Sequence, residues 1–266
     1  MRITYIGHAT LLLEMQGIRI LTDPNFENKL GRLLPRVSAP GIALDKLPRI
    51  DAILLTHAHA DHLSFSSLER LQRDVPLLAP PVVASWLARL GFTHAVPLDA
   101  GGMTEIAGGR LQVHAARATH RGNRYGFDRW RSAANMYLLA TPEESVFFAG
   151  DTALTATTHQ MVESVLWNQG RRLDVALLPI GHAPRWKPGF RRGHLTGEDA
   201  LELFERLDAR AMLPYHWGTF RHVTATAYDA IDRLRLRLES FARKEHVHIL
   251  EPGETLVTDD QGIHIE

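Results

Sequence analysis

The histidine-rich stretch 56–62, with the sequence Thr-His-Ala-His-Ala-Asp-His, constrains this chain more than any other feature. It follows the apolar run 51–55, which is typical of a buried strand, and it precedes residues 63–71, whose apolar spacing is helical. The stretch therefore lies at the carboxyl end of a strand. Its three imidazoles and one carboxylate need partners, because burying unpaired polar groups is costly. A bound metal ion satisfies all of them together; a solvated, histidine-rich loop is the simpler alternative.

Length and composition bound the class of protein. The chain has 266 residues, of which 45% are hydrophobic, so we expect one compact domain over residues 1–266. Thirty basic residues balance thirty acidic ones, so no overall charge favours a nucleic acid or an anionic membrane as partner. The absence of cysteine excludes disulfides and thiolate ligands. Neither a signal-peptide pattern nor an apolar run of membrane length occurs, which predicts a cytoplasmic protein without integral membrane association.

The periodicity of the chain predicts two sheets flanked by helices. A strand meander opens the chain, a βα alternation follows the histidine-rich stretch, and residues 103–149 show the period-two pattern of a largely antiparallel second sheet. Further elements are predicted as helices at 159–168, 197–207 and 225–243 and as a strand at 247–250. Residues 25–49 lack periodicity and collect glycine and proline, which makes them a candidate lid loop.

Three further strand ends carry a candidate metal ligand. His120, Asp151 and His216 each follow a strand-like segment. In open α/β sheets, binding sites form beyond the carboxyl ends of the strands, so these side chains are expected to converge with the histidine-rich stretch. The sequence therefore predicts a metal centre of imidazole and carboxylate ligands, which suits zinc, iron or manganese.

The ordered pattern of an HxHxDH stretch, a lone histidine, an aspartate and another lone histidine resembles the metallo-β-lactamase superfamily over nearly the whole chain. Longer strings resemble its branch that holds N-acylphosphatidylethanolamine-hydrolysing phospholipase D and the ascorbate-phosphate lactonases. These strings are LTDP at 21–24, FAGDT at 148–152, LPIG at 178–181, PRW at 184–186 and HWGTF at 216–220. The resemblance implies an α/β fold, the four-layer αββα sandwich of the metallo-β-lactamase type.

The resemblance also implies two divalent metal ions, with zinc as the first expectation and manganese or iron as alternatives. The ligands are carried over by position: His57, His59 and His120 for one ion, Asp61, His62 and His216 for the second, and Asp151 as the bridge. A bridge is physically required, because two neighbouring cations repel one another unless negative groups lie between them. Such a pair lowers the pKa of a bridging water and supplies a hydroxide nucleophile. Asp61 and Asp151 are therefore catalytic candidates as well as ligands.

Three residues are candidates for supporting roles. Asp23 is expected to accept a hydrogen bond from a ligand histidine, since metal-bound imidazoles usually donate their second N–H to a carboxylate; capping its own turn is the alternative. His8 either faces the site from the first loop or has a structural role. His194 lies just before a predicted helix that begins with a capping box of Thr196 and Asp199. The resemblance to the phospholipase implies that His194 is a general acid or contacts phosphate.

Residues 184–192 are the best candidate for binding an anion. The segment holds four basic residues and no acid, and it also contains Trp186, which either stacks on substrate or packs. The basic residues are Arg185, Lys187, Arg191 and Arg192. Arg121 and Arg124, just after His120, are candidates to extend this patch, because arginine matches phosphate oxygens. A solvated basic loop is the alternative.

Together these features favour a dinuclear metal-dependent hydrolase, and specifically a phosphodiesterase whose basic segment holds phosphate. A lactonase acting on a small, sometimes phosphorylated, lactone is one alternative, and a non-enzymatic, metal-stabilised binding module is another. The expected partner is a small phosphorylated or ester substrate, and the neutral overall charge disfavours nucleic acid. The apolar spacing over residues 225–241 supports either core packing or a homo-oligomer interface.

Overall fold

A computed structural model of the chain describes residues 1–31, 34–128, 130–181, 191–221 and 225–266. In chain order the strands are β1 (Arg2–Gly7), β2 (Thr10–Met15), β3 (Ile18–Thr22), β4 (Lys29–Leu30), β5 (Leu34–Pro35), β6 (Ala52–Leu54), β7 (Leu77–Ala79), β8 (Ala95–Pro97), β9 (Met103–Ile106), β10 (Leu111–Arg117), β11 (Asn135–Ala140), β12 (Ser145–Phe148), β13 (Val175–Pro179), β14 (Ala211–Tyr215), β15 (Thr255–Asp259) and β16 (Gly262–Ile265). The α-helices are α1 (Phe65–Arg70), α2 (Pro81–Arg89), α3 (Gln160–Val165), α4 (Gly197–Arg206) and α5 (Asp229–Leu238).

Two large sheets organise these elements. The first has the strand order β16-β15-β1-β2-β3-β6-β7-β8 and becomes parallel from β3 onward. The second has the order β14-β13-β12-β11-β10-β9; it is antiparallel from β9 to β12 and parallel from β12 to β14. The antiparallel pattern predicted for residues 103–149 is confirmed. The sheet turns parallel where helices connect its strands, because parallel neighbours need a crossover connection.

Alternate residues of one strand enter two different cores. Leu11 of β2 belongs to a buried cluster that also contains Val113 of the second sheet. Its neighbour Leu12 points the other way and joins a cluster with Leu68 of α1 and Leu87 of α2. On the far side, α3 packs on β10 and α4 packs on β13. The layers are therefore helices, sheet, sheet and helices, and strands covered on both faces explain the continuous apolar runs of the sequence.

The capping box predicted at the start of α4 is present. Thr196 Oγ1 accepts a hydrogen bond from the N–H of Asp199, and the Asp199 carboxylate accepts one from the N–H of Thr196. Leu203 and Phe204 are the buried side chains of its last turn. This fixed helix start holds the segment that precedes it, including His194, against the carboxyl ends of the strands.

Two helices are shorter than predicted. The helix predicted over residues 225–243 is confined to Asp229–Leu238. Before it, the carbonyl of Ala227 accepts a hydrogen bond from the N–H of Gly218 at 2.8 Å, which ties this part of the chain to the segment after β14. The helix predicted over residues 159–168 ends with α3 and continues as a 3-10 turn over Trp167–Gln169.

The prediction of a strand over residues 247–250 was wrong. Within this segment Val247 forms an isolated bridge to Met212, and one further hydrogen bond joins His248 N–H to the Met212 carbonyl at 2.8 Å. The chain crosses here from β14, at the edge of the second sheet, to β15 of the first sheet. It therefore meets β14 at Met212 but does not pair with the rest of that strand.

The candidate lid, residues 25–49, contains more local structure than its composition predicted. β4 and β5 form a two-stranded hairpin, and a 3-10 turn covers Leu44–Lys46. Phe26 packs against the cluster beneath α1 and α2. A role as a lid stays a prediction.

No helix in the described part of the chain has the length and apolar character needed to cross a membrane. The predicted cytoplasmic location and homo-oligomer stay predictions.

Candidate metal centre

The strand ends bring all seven predicted metal ligands together. The stretch 57–62 follows β6, and the lone candidates follow β10, β12 and β14. Among the described residues, two groups of four possible ligand atoms result, and within each group the atoms lie within 4.8 Å of one another: His57, His59, His120 and Asp151 form the first group, and His8, Asp61, His62 and His216 form the second. A third group of this kind has three members, Asp23, His57 and His62, and overlaps the other two. The grouping matches the division of ligands that the resemblance implied, with His8 added.

Asp151 lies between the two groups. Its Oδ2 is 3.4 Å from His62 Nε2 and 3.9 Å from His57 Nε2, while its Oδ1 is 3.4 Å from His216 Nε2. The residue is only 2% exposed, and neither carboxylate oxygen has a hydrogen-bond partner among the described residues. Because burying carboxylate oxygens without hydrogen bonds is costly, these oxygens fit a role as ligands to cations on both sides.

Histidine nitrogens face one another in both groups. His120 Nε2 lies 3.0 Å from His59 Nδ1, and His62 Nε2 lies 3.1 Å from His216 Nε2. The Nδ1 of His120 is within hydrogen-bond distance, 2.8 Å, of the Gly193 carbonyl, which only accepts, so Nδ1 carries the proton and Nε2 a lone pair. Imidazole lone pairs that converge in a buried space are the donor set of a metal site.

Asp23 orients one histidine of each group. Its Oδ2 lies 2.7 Å from His62 Nδ1 and accepts from the Thr56 hydroxyl at 2.6 Å, while its Oδ1 accepts from the Thr56 N–H at 2.7 Å. The hydroxyl has only one proton, so its oxygen accepts from His57 Nδ1 at 2.9 Å. His57 Nε2 is consequently a buried lone pair, without a hydrogen-bond partner in the described ranges.

Asp23, the predicted partner, thus contacts the candidate ligand His62 directly. Its indirect contact with His57, through the Thr56 hydroxyl, was not predicted. The available signal was only a hydroxyl residue next to the first histidine of the stretch. Asn25 was also missed. Its side-chain amide donates to the carbonyls of Ala60 at 2.9 Å and Asp61 at 3.1 Å and so holds the loop that carries the ligands.

His8 faces the site rather than the core. Its Nε2 lies 3.1 Å from Asp61 Oδ2, and its ring centroid is 3.8 Å from that of His216. The carbonyl of His8 also accepts a hydrogen bond from the His216 N–H at 3.0 Å. Both contacts hold ligands of the second group.

His194 is close to the bridging position. Its Nε2 lies 3.4 Å from Asp151 Oδ2, and its ring meets that of His120 edge to face at 4.8 Å between centroids. The side chain is 16% exposed, so it borders both the buried centre and solvent. This placement, beside the buried centre and in contact with solvent, suits a proton donor or a residue that contacts phosphate.

The structure describes only part of the predicted basic segment. Arg191 and Arg192 are exposed and immediately precede Gly193, whose carbonyl contacts His120. Arg191 also lies 3.8 Å from the Asp199 carboxylate. Three predicted substrate contacts lie outside the described residues: Arg185, Trp186 and Lys187.

Burial and neighbouring charges set the protonation of the centre. Burial lowers the pKa of His57 well below its ordinary value and that of His120 to about 3, so both are neutral at pH 7. Burial raises the pKa of Asp151, but the charges of His216 and His62 outweigh it and hold that pKa well below its usual range. Burial lowers the pKa of the His62 imidazole, but the surrounding carboxylates, of which Asp151 has the largest effect, raise this pKa well above its ordinary value. The negative charge of these carboxylates, which stabilises a proton on His62, also attracts a divalent cation.

Gly122 places the chain after His120 against the first ligand group. It has φ +71°, and a Cβ there would clash with the Ala133 carbonyl oxygen and lie 3.0 Å from His57 Cβ. We expect Gly122→Ala to lower the free energy of unfolding by about 1–3 kcal/mol, as overpacking does, and to reduce bound metal. Denaturant unfolding and metal analysis measure both. Gly126→Ala is the control because its Cβ meets open space, and an unchanged Gly122→Ala would contradict the expectation.

Facing sheets covered by helices, with histidines and aspartates gathered at the strand ends, define an α/β sandwich protein with a cluster of side chains that could hold metal ions. Residues 18–217 match the family model described as Beta-lactamase superfamily domain, and the chain belongs to this family. The predicted superfamily and fold class are confirmed.

Relatives with similar sequence or structure span almost the full chain. The chain is 28% identical over 258 residues to a metal-dependent hydrolase of Pyrobaculum neutrophilum, which covers 96% of this chain and 99% of the relative. A solved structure of a metallo hydrolase from Ignicoccus hospitalis has a TM-score of 0.70 at 25% identity and covers 96% of each chain. An isothiocyanate hydrolase from Delia radicum gut bacteria has a TM-score of 0.75 at 22% identity and covers 97% of this chain and 99% of its own.

Proposed function

We propose that this protein is a metal-dependent hydrolase that holds two divalent metal ions and cleaves phosphodiester bonds. The observation that carries the proposal is the buried Asp151 carboxylate, which has no hydrogen-bond partner among the described residues and lies between candidate ligand histidines of both groups. The hydrolase class is also supported by the metal-dependent hydrolases among the relatives.

The two groups divide the ligands. The first ion would be held by His57, His59 and His120, the second by Asp61, His62 and His216, with Asp151 shared. Nitrogen and oxygen donors without sulfur suit zinc, with manganese or iron as alternatives. Two such ions, when bound, would supply an activated water molecule and would stabilise the negative charge that develops on the phosphoryl oxygens.

The chain's own residues supply the remaining chemistry. We infer that His194 gives a proton to the departing oxygen; this inference is supported by its Nε2, which lies 3.4 Å from Asp151 Oδ2, and by its partly exposed side chain. Arg191 and Arg192 are exposed at the edge of the first group, where guanidinium groups can hold a phosphate. A lactone has no charged phosphate at the reacting centre, so these arginines favour the phosphodiester over the lactonase alternative.

Neutralising the basic segment should separate these two reactions. We expect replacement of Arg185, Lys187, Arg191 and Arg192 by alanine to lower kcat/KM for bis(4-nitrophenyl) phosphate at least about tenfold, because hydrogen bonds to charged groups are lost. Hydrolysis of a simple lactone should change less than about twofold, since it needs no phosphate contact. Initial rates are measured with protein reconstituted separately with zinc and with manganese.

The matched control is Arg235→Ala, which removes a guanidinium from an exposed helical position. Lactone turnover alone would replace the phosphodiesterase proposal with the lactonase. Absence of turnover on both substrates, from protein shown to hold two metal ions, would favour the binding module.

A further inference from the structure

The loop after β10 forms a cavity beside the first ligand group. The cavity has a volume of about 740 Å³, and His59 forms part of its wall. Small-molecule pockets have volumes of roughly 300–1,000 Å³. Resting on the proposed function, we propose that this cavity binds the non-scissile part of the substrate, and that this part is a planar ring accompanied by a negative charge.

Aromatic side chains supply the surface for a ring. Tyr125 and Phe127 are 48% and 81% exposed, although both are large and apolar. Their rings are parallel, with an interplanar angle of 5° and centroids 5.4 Å apart. Trp130, in the same wall, packs on Trp86 at 5.1 Å between centroids and is only half-buried. A flat aromatic surface left open to solvent beside a ligand group is suited to stacking on a planar ligand.

Arginine side chains supply the countercharge. Arg121 and Arg131 are exposed on the cavity wall, and neither forms an ion pair with any residue that the structure describes. Arg124 has another role, because its Nη1 donates to the Leu63 carbonyl at 2.7 Å. The acid of this wall, Asp128, is engaged by the Tyr125 N–H at 2.8 Å. Among the described arginines of this wall, Arg121 and Arg131 therefore remain to meet an anion, and guanidinium matches carboxylate and phosphate oxygens.

Hydrogen bonds hold the cavity wall in place and connect it to the loop 57–62, which carries candidate metal ligands. Asn123 Nδ2 donates to the Asp128 carbonyl at 2.6 Å, which closes the turn that carries the two aromatic rings. The carbonyl of Gly122 accepts from the N–H of Ala58, between two ligand histidines, at 3.0 Å. Together with the Arg124 contact, these bonds fix the aromatic surface relative to His59. A preformed site of this kind selects substrates by shape and charge.

Isothermal titration of zinc-loaded protein with phenylphosphonate and methylphosphonate tests the pocket. We expect the double variant Arg121→Ala, Arg131→Ala to weaken phenylphosphonate binding at least about tenfold, because charge-assisted hydrogen bonds are lost. Phe127→Ala should weaken phenylphosphonate binding about threefold and leave methylphosphonate unchanged, because only the former has a ring to stack. The same ratios are expected in chelator-treated protein, where the metals contribute nothing.

Arg110→Ala is the matched control. Arg110 lies just before the 7-residue strand β10, at the opposite end from the cavity, and it is exposed. Wild-type affinity in the Arg121, Arg131 and Phe127 variants, or equal losses in Arg110→Ala, would overturn the pocket. So would equal affinity for the two phosphonates, which indicates binding through the metals alone.

Binding is measured without turnover, so the two proposals fail separately. A protein that discriminates the phosphonates as expected but cleaves no phosphodiester would overturn only the proposed activity. Phosphodiester cleavage with unchanged phenylphosphonate binding in both cavity variants would overturn only the pocket.

Discussion

Replacing Asp151 with asparagine is expected to abolish metal-dependent turnover and to lower the metal content of the purified protein. Asparagine keeps the shape of the side chain but loses the negative charge that lies between the two ligand groups. Its amide would also place a donor where a second ligand oxygen stood. Loss of a buried charge partner costs about 3–5 kcal/mol, and the same loss in the transition state corresponds to a fall in kcat/KM of roughly 10²- to 4 × 10³-fold.

Initial rates and metal analysis of the same preparation measure both effects. Asp74→Asn is the control, because Asp74 is 69% exposed and its contact with Arg49 spans 3.6 Å at the surface. Full activity with two bound metal ions in Asp151→Asn would refute the assignment of Asp151 as the shared ligand.

Replacing Asp23 with asparagine is expected to weaken metal binding to both groups, although Asp23 is assigned to neither ion. Its carboxylate accepts from His62 directly and from His57 through Thr56, so the substitution disturbs the tautomer and the orientation of one ligand in each group. Loss of such supporting partners typically weakens metal affinity about 10- to 100-fold. Metal titration of the chelator-treated protein gives the two affinities.

Thr56→Val separates the two arms of this network. The substitution removes the hydroxyl that connects Asp23 to His57 but leaves the contact between Asp23 and His62 in place. We therefore expect a smaller loss, confined to the ion held by His57. Wild-type affinity at both sites in Asp23→Asn, or equal losses at both sites in Thr56→Val, would contradict the network.

The convergence of the candidate ligands was predictable because each follows a strand in the sequence. His57 and His59 follow β6, His120 follows β10, Asp151 follows β12 and His216 follows β14. Strands of both sheets end at the same edge of the sandwich, so the positions converge whatever the details of side-chain packing. Apolar periodicity was similarly informative about the sheets, since strands buried on both faces leave a clear pattern.

Other features had little or no local signal. The N–H of Ala58 and the carbonyl of Gly122 are 64 positions apart and meet only after the sheets pack, as do Asn25 and Ala60. The failed strand at 247–250 has a strand-like composition, but its pairing depends on the route of the chain between the sheets. Composition cannot report such a route.

The superfamily, the αββα layers and the candidate ligands could be predicted from the sequence, because periodicity and short motifs involve neighbouring residues. The folded structure was needed to show that Asp23 contacts His62 directly and His57 through Thr56, that His8 faces Asp61, and that Arg124 donates to the loop that carries the candidate ligands. These contacts are side-chain hydrogen bonds, and most of them join segments that are distant in the sequence. Such bonds depend on distances of a few tenths of an ångström, which exist only once the two sheets have packed.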